Sequence, residues 1–230
     1  MGLRITMVGN FGLTGKQTMA MRALPLAEAL AVRGHVVSLV LPVRDSGEQA
    51  APSRSDGVTI TYVGRGPRQP ILTELWQLLW LAHHCWHSHP EVLYCFKPIA
   101  YSGAVLLLFW LLRGLGIYRG AVLLDTDDWE GEGGWNERQP FPGWLKGLIA
   151  QQELWSLRHA DAVTVASRAL EKMALRAGAR RVVYLPNAIA PGSPALFDPF
   201  EAGGRGAPPA PATAYPRAPG GGDGAGVGAN

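Results

Sequence analysis

The sequence predicts a doubly wound parallel α/β domain, and three observations carry that prediction. Short, nearly continuous Val/Leu/Ile runs alternate with segments of helical periodicity along residues 1–190. Runs of that kind are strands buried on both faces of a sheet. A glycine-rich turn, Gly9–Gly15, separates the first run from the first periodic segment. Strand, helix, strand in that order closes into a parallel unit. The 230 residues are 47% hydrophobic and only 17% charged, with a formal net charge of +3. That is ample material for one core under a weakly charged surface. A basic excess so small and scattered argues against a nucleic-acid partner.

The elements follow in order. Residues 1–9 read as a buried strand, with Ile5, Met7 and Val8 apolar. A helix is predicted from Gln17 to Arg33, where Met21, Leu24, Ala27 and Leu30 recur every three residues. Pro25 lies inside it and should kink it, and Gly34 suits its C′ position. Val36–Leu41 is the second strand, and Val58–Val63 is a strand placed near an edge. Ile71–Trp86 is a helix with Leu72, Leu75, Leu79 and Ala82 on one face. Val92–Phe96 is a strand, Ala100–Leu112 a nearly all-apolar helix, and Ala121–Thr126 a strand. Pro142 opens a helix over Phe141–His159. Ala162–Ala166 is a strand, Ser167 caps the helix to Ala177, and Gly178 ends it. Val182–Pro186 is the last strand. The pattern is Rossmann-like, one domain over 1–190.

Residues 191–200 read as a junction, and 201–230 are mostly Gly, Ala and Pro without periodicity. Such a composition cannot offset chain entropy by burial, so disorder is expected there. Cys85 and Cys95 form no ligand spacing and read as reduced thiols. The first residues lack the layout of a signal peptide. The longest apolar stretch, Gly103–Leu112, is too short to span a bilayer. A cytoplasmic location is expected.

Polar motifs cluster after strands. Gly9–Gly15 followed by Lys16 and Gln17 misses the P-loop template, because five residues separate the glycines and Gln17 replaces the hydroxyl. It is not a GxGxxG fingerprint either. The turn either brings backbone N–H groups to an anion or a sugar or merely reverses the chain. Asp125–Asn136 is the densest polar segment, with Asp125, Asp127, Asp128 and Glu130 in six positions. Mutual repulsion there raises at least one pKa, which suits a general base or a carboxylate gripping a hydroxyl. Trp129 and Trp135 offer flat faces to a sugar ring; a solvated acidic loop is the plainer reading. Lys97–Gly103 offers Lys97 for a phosphate and Tyr101 and Ser102 for a hydroxyl, or is simply a helix start. His83 and His87 stand at metal-capable spacing, but no third ligand is evident and an exposed helix end is the expectation. Trp76, Trp80, Trp86 and Trp110 are either core or the anchors of a weak peripheral membrane contact.

Two segments carry a family resemblance. Leu24–Val40 holds Arg33, Gly34, His35 and Val37, and His159–Ile189 holds Ala160, Asp161, Val163, Ser167, Gly178, Pro186 and Asn187. In this order, after a glycine-rich first turn, they resemble the N-terminal half of glycosyltransferases of GT-B architecture, glycosyltransferase family 4 and its relatives. The resemblance covers residues 1–198. It implies retaining transfer from a nucleoside-diphosphate sugar without an obligatory metal or other cofactor. The N-terminal half would bind a sugar or lipid-linked acceptor, and a C-terminal half would hold the donor. That donor half is expected to be absent from this chain, leaving it weak in donor binding and inactive alone. Asp127 and Asp128 are the candidate catalytic residues. Gly12, Gly15, Lys97, Tyr101, Asp125 and Trp129 are the candidate substrate-binding residues. Two other readings stay open: a metal-dependent sugar transferase using Asp125 and Asp127, and a non-catalytic Rossmann-like binding module.

Overall fold

The computed structural model describes residues 2–14, 18–43, 53–64, 66–67 and 69–187. The expectations for 191–200 and 201–230 therefore lie outside the described residues, as does Gly15. The first compact unit of the chain is Met1–Pro191.

Its centre is an eight-stranded sheet. The strands are β1 (Arg4–Val8), β2 (Val36–Pro42), β3 (Ser53–Ser55), β4 (Val58–Val63), β5 (Val92–Phe96), β6 (Ala121–Thr126), β7 (Ala162–Val165) and β8 (Val182–Tyr184). Their spatial order is β3-β4-β2-β1-β5-β6-β7-β8. Seven strands pair in parallel, and the short β3 runs antiparallel outside β4. The doubly wound parallel sheet is thus as the sequence predicts. β3 carries no apolar run, and the periodicity did not reveal it. It places the predicted edge strand, β4, one position in from the rim.

Alternate residues of the central strands serve opposite cores. Met7, Leu39, Ile60 and Phe96 pack with Met19, Ala23 and Ala27 on one face. Val8, Val40, Leu93, Val122 and Val163 pack on the other. That second face is covered by a layer of four helices: α2 (Pro70–His87), α3 (Ala100–Gly114), α4 (Gly143–His159) and α5 (Arg168–Arg176). Ser167 accepts the Leu170 N–H at 3.2 Å and caps α5 as expected.

The first helix differs from its sequence pattern. α1 spans only Leu24–Val32, and Met19–Ala23 before it form a π-helical turn in which the Leu24 N–H reaches back to the Met19 carbonyl. Pro25 has no N–H to offer the Met21 carbonyl, so the wider turn is the local consequence. Gly34, at φ +87, closes α1 as its C′ residue. Helix α2 departs further: its Leu72, Leu75 and Leu79 are exposed, and its buried side carries Gln77, Leu81, Ala82 and Cys85. Trp76 and Trp80 are exposed too. Trp86 packs on Phe109, and Trp110 on Trp155 and His159. No described helix is long and apolar enough to cross a membrane.

Candidate functional site

Parallel strands send all their carboxyl-end loops to one edge, and ligands gather where the winding reverses direction. Here that point lies between β1 and β5, since β2 leaves β1 on one side and β5 pairs on the other. Asn10, just beyond β1 and buried, joins the two sides. Its Nδ2 donates to the Ile99 carbonyl at 2.8 Å, and its Oδ1 accepts the Ser102 N–H at 2.8 Å. The start of α3 is therefore pinned to the glycine-rich turn.

Lys97 follows β5 directly and sits in the left-handed region at φ 71, a strained position for a lysine. Its side chain is buried beneath the loop after β6. Nζ lies 2.6 Å from Glu130 Oε1, 3.1 Å from Asp127 Oδ1 and 3.2 Å from Asp128 Oδ2. Burial alone would pull the ammonium down, but Asp127 and Glu130, then Asp128, outweigh it and hold the pKa above the ordinary lysine range. Lys97 is a fixed cation at physiological pH. Thr18 donates its hydroxyl to Asp127 Oδ2 at 2.8 Å. Asp127 is therefore oriented from both sides, whereas the Asp128 side chain is 63% exposed.

A second layer supports this loop. Glu153 of α4 is fully buried, and its carboxylate accepts the Glu130 N–H at 2.9 Å and the Gly131 N–H at 2.5 Å. A Cβ at Gly131 would lie 2.6 Å from Glu153 Oε2, so a larger residue there would displace that carboxylate. Burial pushes the Glu153 carboxyl up to about 7, against the two backbone N–H groups that favour its ionised form. Between the ordinary carboxyl value of about 4.3 and about 7, the folded chain holds a proton that the unfolded chain has released. Stability at this site therefore falls as pH rises through that window. Glu153→Gln does not titrate. It should flatten the slope of urea midpoint against pH between about 5 and 7, while costing about 1–3 kcal/mol for the N–H left facing an amide. An unchanged slope would place the titration elsewhere.

Asp125, the next-to-last residue of β6, is engaged by a different partner. Both its oxygens lie 2.6 Å from Arg22 Nε. Arg22 Nη1 continues to the Leu185 carbonyl at 2.7 Å and to Asn187 Oδ1 at 2.9 Å. Burial raises the Asp125 carboxyl to about 6 despite Arg22 beside it. With both oxygens engaged, Asp125 is a brace between the π-helical turn, β6 and the segment after β8. Among the described residues no group of three or more His, Cys, Asp or Glu is disposed to hold a metal ion.

The other candidates take these places. Gly12 is buried in the turn after β1. Tyr101 is buried, and its hydroxyl lies within hydrogen-bond reach of Gln77 Oε1, at 2.7 Å, and of Glu74 Oε2, tying α3 to α2. The Trp129 indole N–H donates to the Glu132 carbonyl at 2.8 Å and its ring is partly buried, whereas Trp135 is 44% exposed. The loops after β1, β5 and β6 meet at one edge, as parallel topology requires. Asn10, Thr18, Arg22 and Glu153 were not singled out from the sequence.

The loops after β1, β5 and β6 thus gather an acidic cluster around Lys97 at the carboxyl edge of an open, doubly wound parallel sheet. The chain belongs to the glycosyl transferase 4-like domain family, whose model matches residues 17–188. No curated protein matches it. Solved structures share its fold. Sucrose-phosphate synthase from Thermosynechococcus elongatus aligns with TM-score 0.56 and 17% identity, over 80% of this chain and 48% of that one. The catalytic domain of starch synthase IV from Arabidopsis thaliana, bound to ADP and acarbose, aligns with TM-score 0.55 and 11% identity, over 83% and 52%. S. aureus MnaA in complex with UDP aligns with TM-score 0.54 and 12% identity, over 80% and 44%. The chain spans about half the length of these three relatives. The resemblance to the N-terminal half of GT-B glycosyltransferases holds for family and fold.

Proposed function

We propose that this chain is the acceptor-side half of a transferase that moves a sugar from a nucleoside-diphosphate sugar to an acceptor hydroxyl. The acidic crevice around Lys97 carries the reading. Three carboxylates around one ammonium leave the pocket net negative, which repels a diphosphate but suits the hydroxyls of a sugar or lipid-linked acceptor. In this reading Asp127, oriented by Thr18 and Lys97, grips the reacting hydroxyl or takes its proton, and exposed Asp128 meets the acceptor at the rim. Gly12 lets the backbone approach the donor side. Lys97 and Asp125 keep the loop in place, Trp129 borders the acceptor path, and buried Tyr101 acts only through the packing of α3 on α2. The nucleoside diphosphates bound to starch synthase IV and MnaA support a nucleotide-sugar donor. The chemistry is cytoplasmic, in keeping with two buried, unpaired cysteines. The metal-dependent alternative is less favoured, because Arg22 occupies both oxygens of Asp125.

The test joins residues 1–187 to the donor half of a family member. The fusion should release nucleoside diphosphate from a nucleotide-sugar, in the presence of acceptor, at least about tenfold faster than the donor half alone, a modest part of what positioning can supply. The isolated chain should bind UDP or ADP only weakly by calorimetry. Equal rates for fusion and donor half would overturn the proposal in favour of a binding module.

A further inference from the structure

Residues 97–100 form a turn that the chain would not adopt unaided. Lys97 at φ 71 and Ala100 at φ 52 both lie in the left-handed region, which disfavours any residue with a Cβ. Pro98 between them has no N–H to offer. Strained residues persist only where the surroundings over-determine them. Side chains supply that determination here, one for each consecutive carbonyl. Ser156 Oγ donates to the Pro98 carbonyl at 3.0 Å, Asn10 Nδ2 to the Ile99 carbonyl at 2.8 Å, and Gln152 Nε2 to the Ala100 carbonyl at 3.1 Å. Gln152 Oε1 also accepts the Ala100 N–H at 2.8 Å, so one amide grips both backbone groups of a strained residue.

Two of these clamps come from α4. Gln152 and Ser156 stand at i and i+4 on one face of it, beside Glu153. A helix face turned inward ordinarily carries apolar residues, and a buried polar side chain costs free energy unless it is bonded. All three are directed at the backbone of the crevice: Gln152 and Ser156 at the turn after β5, Glu153 at the loop after β6. Gly103 of α3 leaves room for the clamp. A Cβ there would lie 2.6 Å from the Pro98 carbonyl oxygen and 2.8 Å from Gln152 Nε2, so a larger residue would displace one or the other. The backbone fixed in this way is the one from which Lys97 Nζ reaches Glu130 at 2.6 Å and Asp127 at 3.1 Å.

We propose that Gln152 and Ser156 are positioning residues of the crevice: they hold the 97–100 turn in its strained form, and that form seats the ammonium that orients Asp127. For its effect on turnover the inference rests on the transferase reading; the seat of Lys97 is measured without turnover. Gln152→Met keeps the length of the side chain and removes both bonds to Ala100, whose exposed backbone can turn to water. In the fused enzyme it should lower turnover about tenfold or more, with donor KM within about threefold. Adding Ala100→Gly should recover at least about threefold, because glycine holds φ 52 without strain and needs no clamp. A loss of packing alone would not be recovered by removing an exposed methyl group. In the full chain, labelled lysine should show one slowly exchanging ammonium resonance at neutral pH. Gln152→Met should lose it and Ala100→Gly restore it. If Gln152→Met fails to fold by circular dichroism, Gln152→Glu serves, since it keeps the acceptor for the Ala100 N–H and removes the donor to its carbonyl. An inactive parent fusion would overturn the transferase reading and leave the resonance to decide this one. No such resonance in the parent, its persistence in the folded Gln152 variant, or a loss that Ala100→Gly does not recover would overturn the proposal.

Discussion

Replacing Lys97 with methionine is expected to destabilise the chain by about 3–5 kcal/mol at pH 7, the cost of leaving buried charge without its partner. Methionine keeps the length and apolar stem and removes only the ammonium. The carboxylates left behind cannot easily reach water: the side chain of Glu130 is 5% exposed and that of Asp127 14%. Asp128 contributes little to the loss, because its exposed carboxylate is already screened. Adding Glu130→Gln should recover part of it at pH 7, which separates charge imbalance from lost packing. The left-handed backbone at Lys97 does not confuse the comparison, since methionine at φ 71 is as strained as lysine. A loss below about 1 kcal/mol would mean that the crevice is wet and the ion pairs are of the surface kind.

Seven of the eight strands were legible because each is a short apolar run rich in Val, Leu or Ile and too short for a helix; β3, Ser53–Ser55, has no such run. Parallel order followed from the alternation, and the convergence of three loops followed from parallel order. The acidic loop was legible as a cluster, but its mechanics were not. Glu153 sits in Gln-Gln-Glu-Leu, which reads as the outward side of a helix, and only the fold turns it inward beneath Gly131. Arg22 reads as a surface residue between Met21 and Ala23; the π-helical turn before Pro25 accompanies its contact with Asp125, 103 positions away. The left-handed conformation of Lys97 has no signature in sequence, since lysine is not a residue that announces it. Helix α2 misled for a different reason: apolar periodicity reports a face that prefers to leave water, not which partner it leaves water for. Leu72, Leu75 and Leu79 have that periodicity and remain exposed.

In the fused enzyme, Asp127→Asn is expected to lower turnover by about 10²–10⁴-fold, the range for a positioned general base. The donor KM should move by no more than about threefold, because the lost interaction acts on the acceptor in the transition state. The substitution is nearly isosteric. The amide oxygen can still accept from Thr18, as Asp127 Oδ2 does at 2.8 Å, so loop geometry should survive and the urea midpoint serves as the control. Asp128→Asn should have a smaller effect, carried by acceptor KM, since its side chain is 63% exposed and faces the rim. Asp125→Asn separates structure from chemistry. It should weaken the Arg22 brace and lower stability, and turnover per folded molecule should fall less than for Asp127→Asn. Rescue of Asp127→Asn by acceptors with more acidic hydroxyls would identify proton removal as the lost step; loss without rescue would assign Asp127 to gripping the hydroxyl. If Asp127→Asn and Asp128→Asn both turn over like the parent, the loop is a solvated acidic turn and the proton leaves by another route.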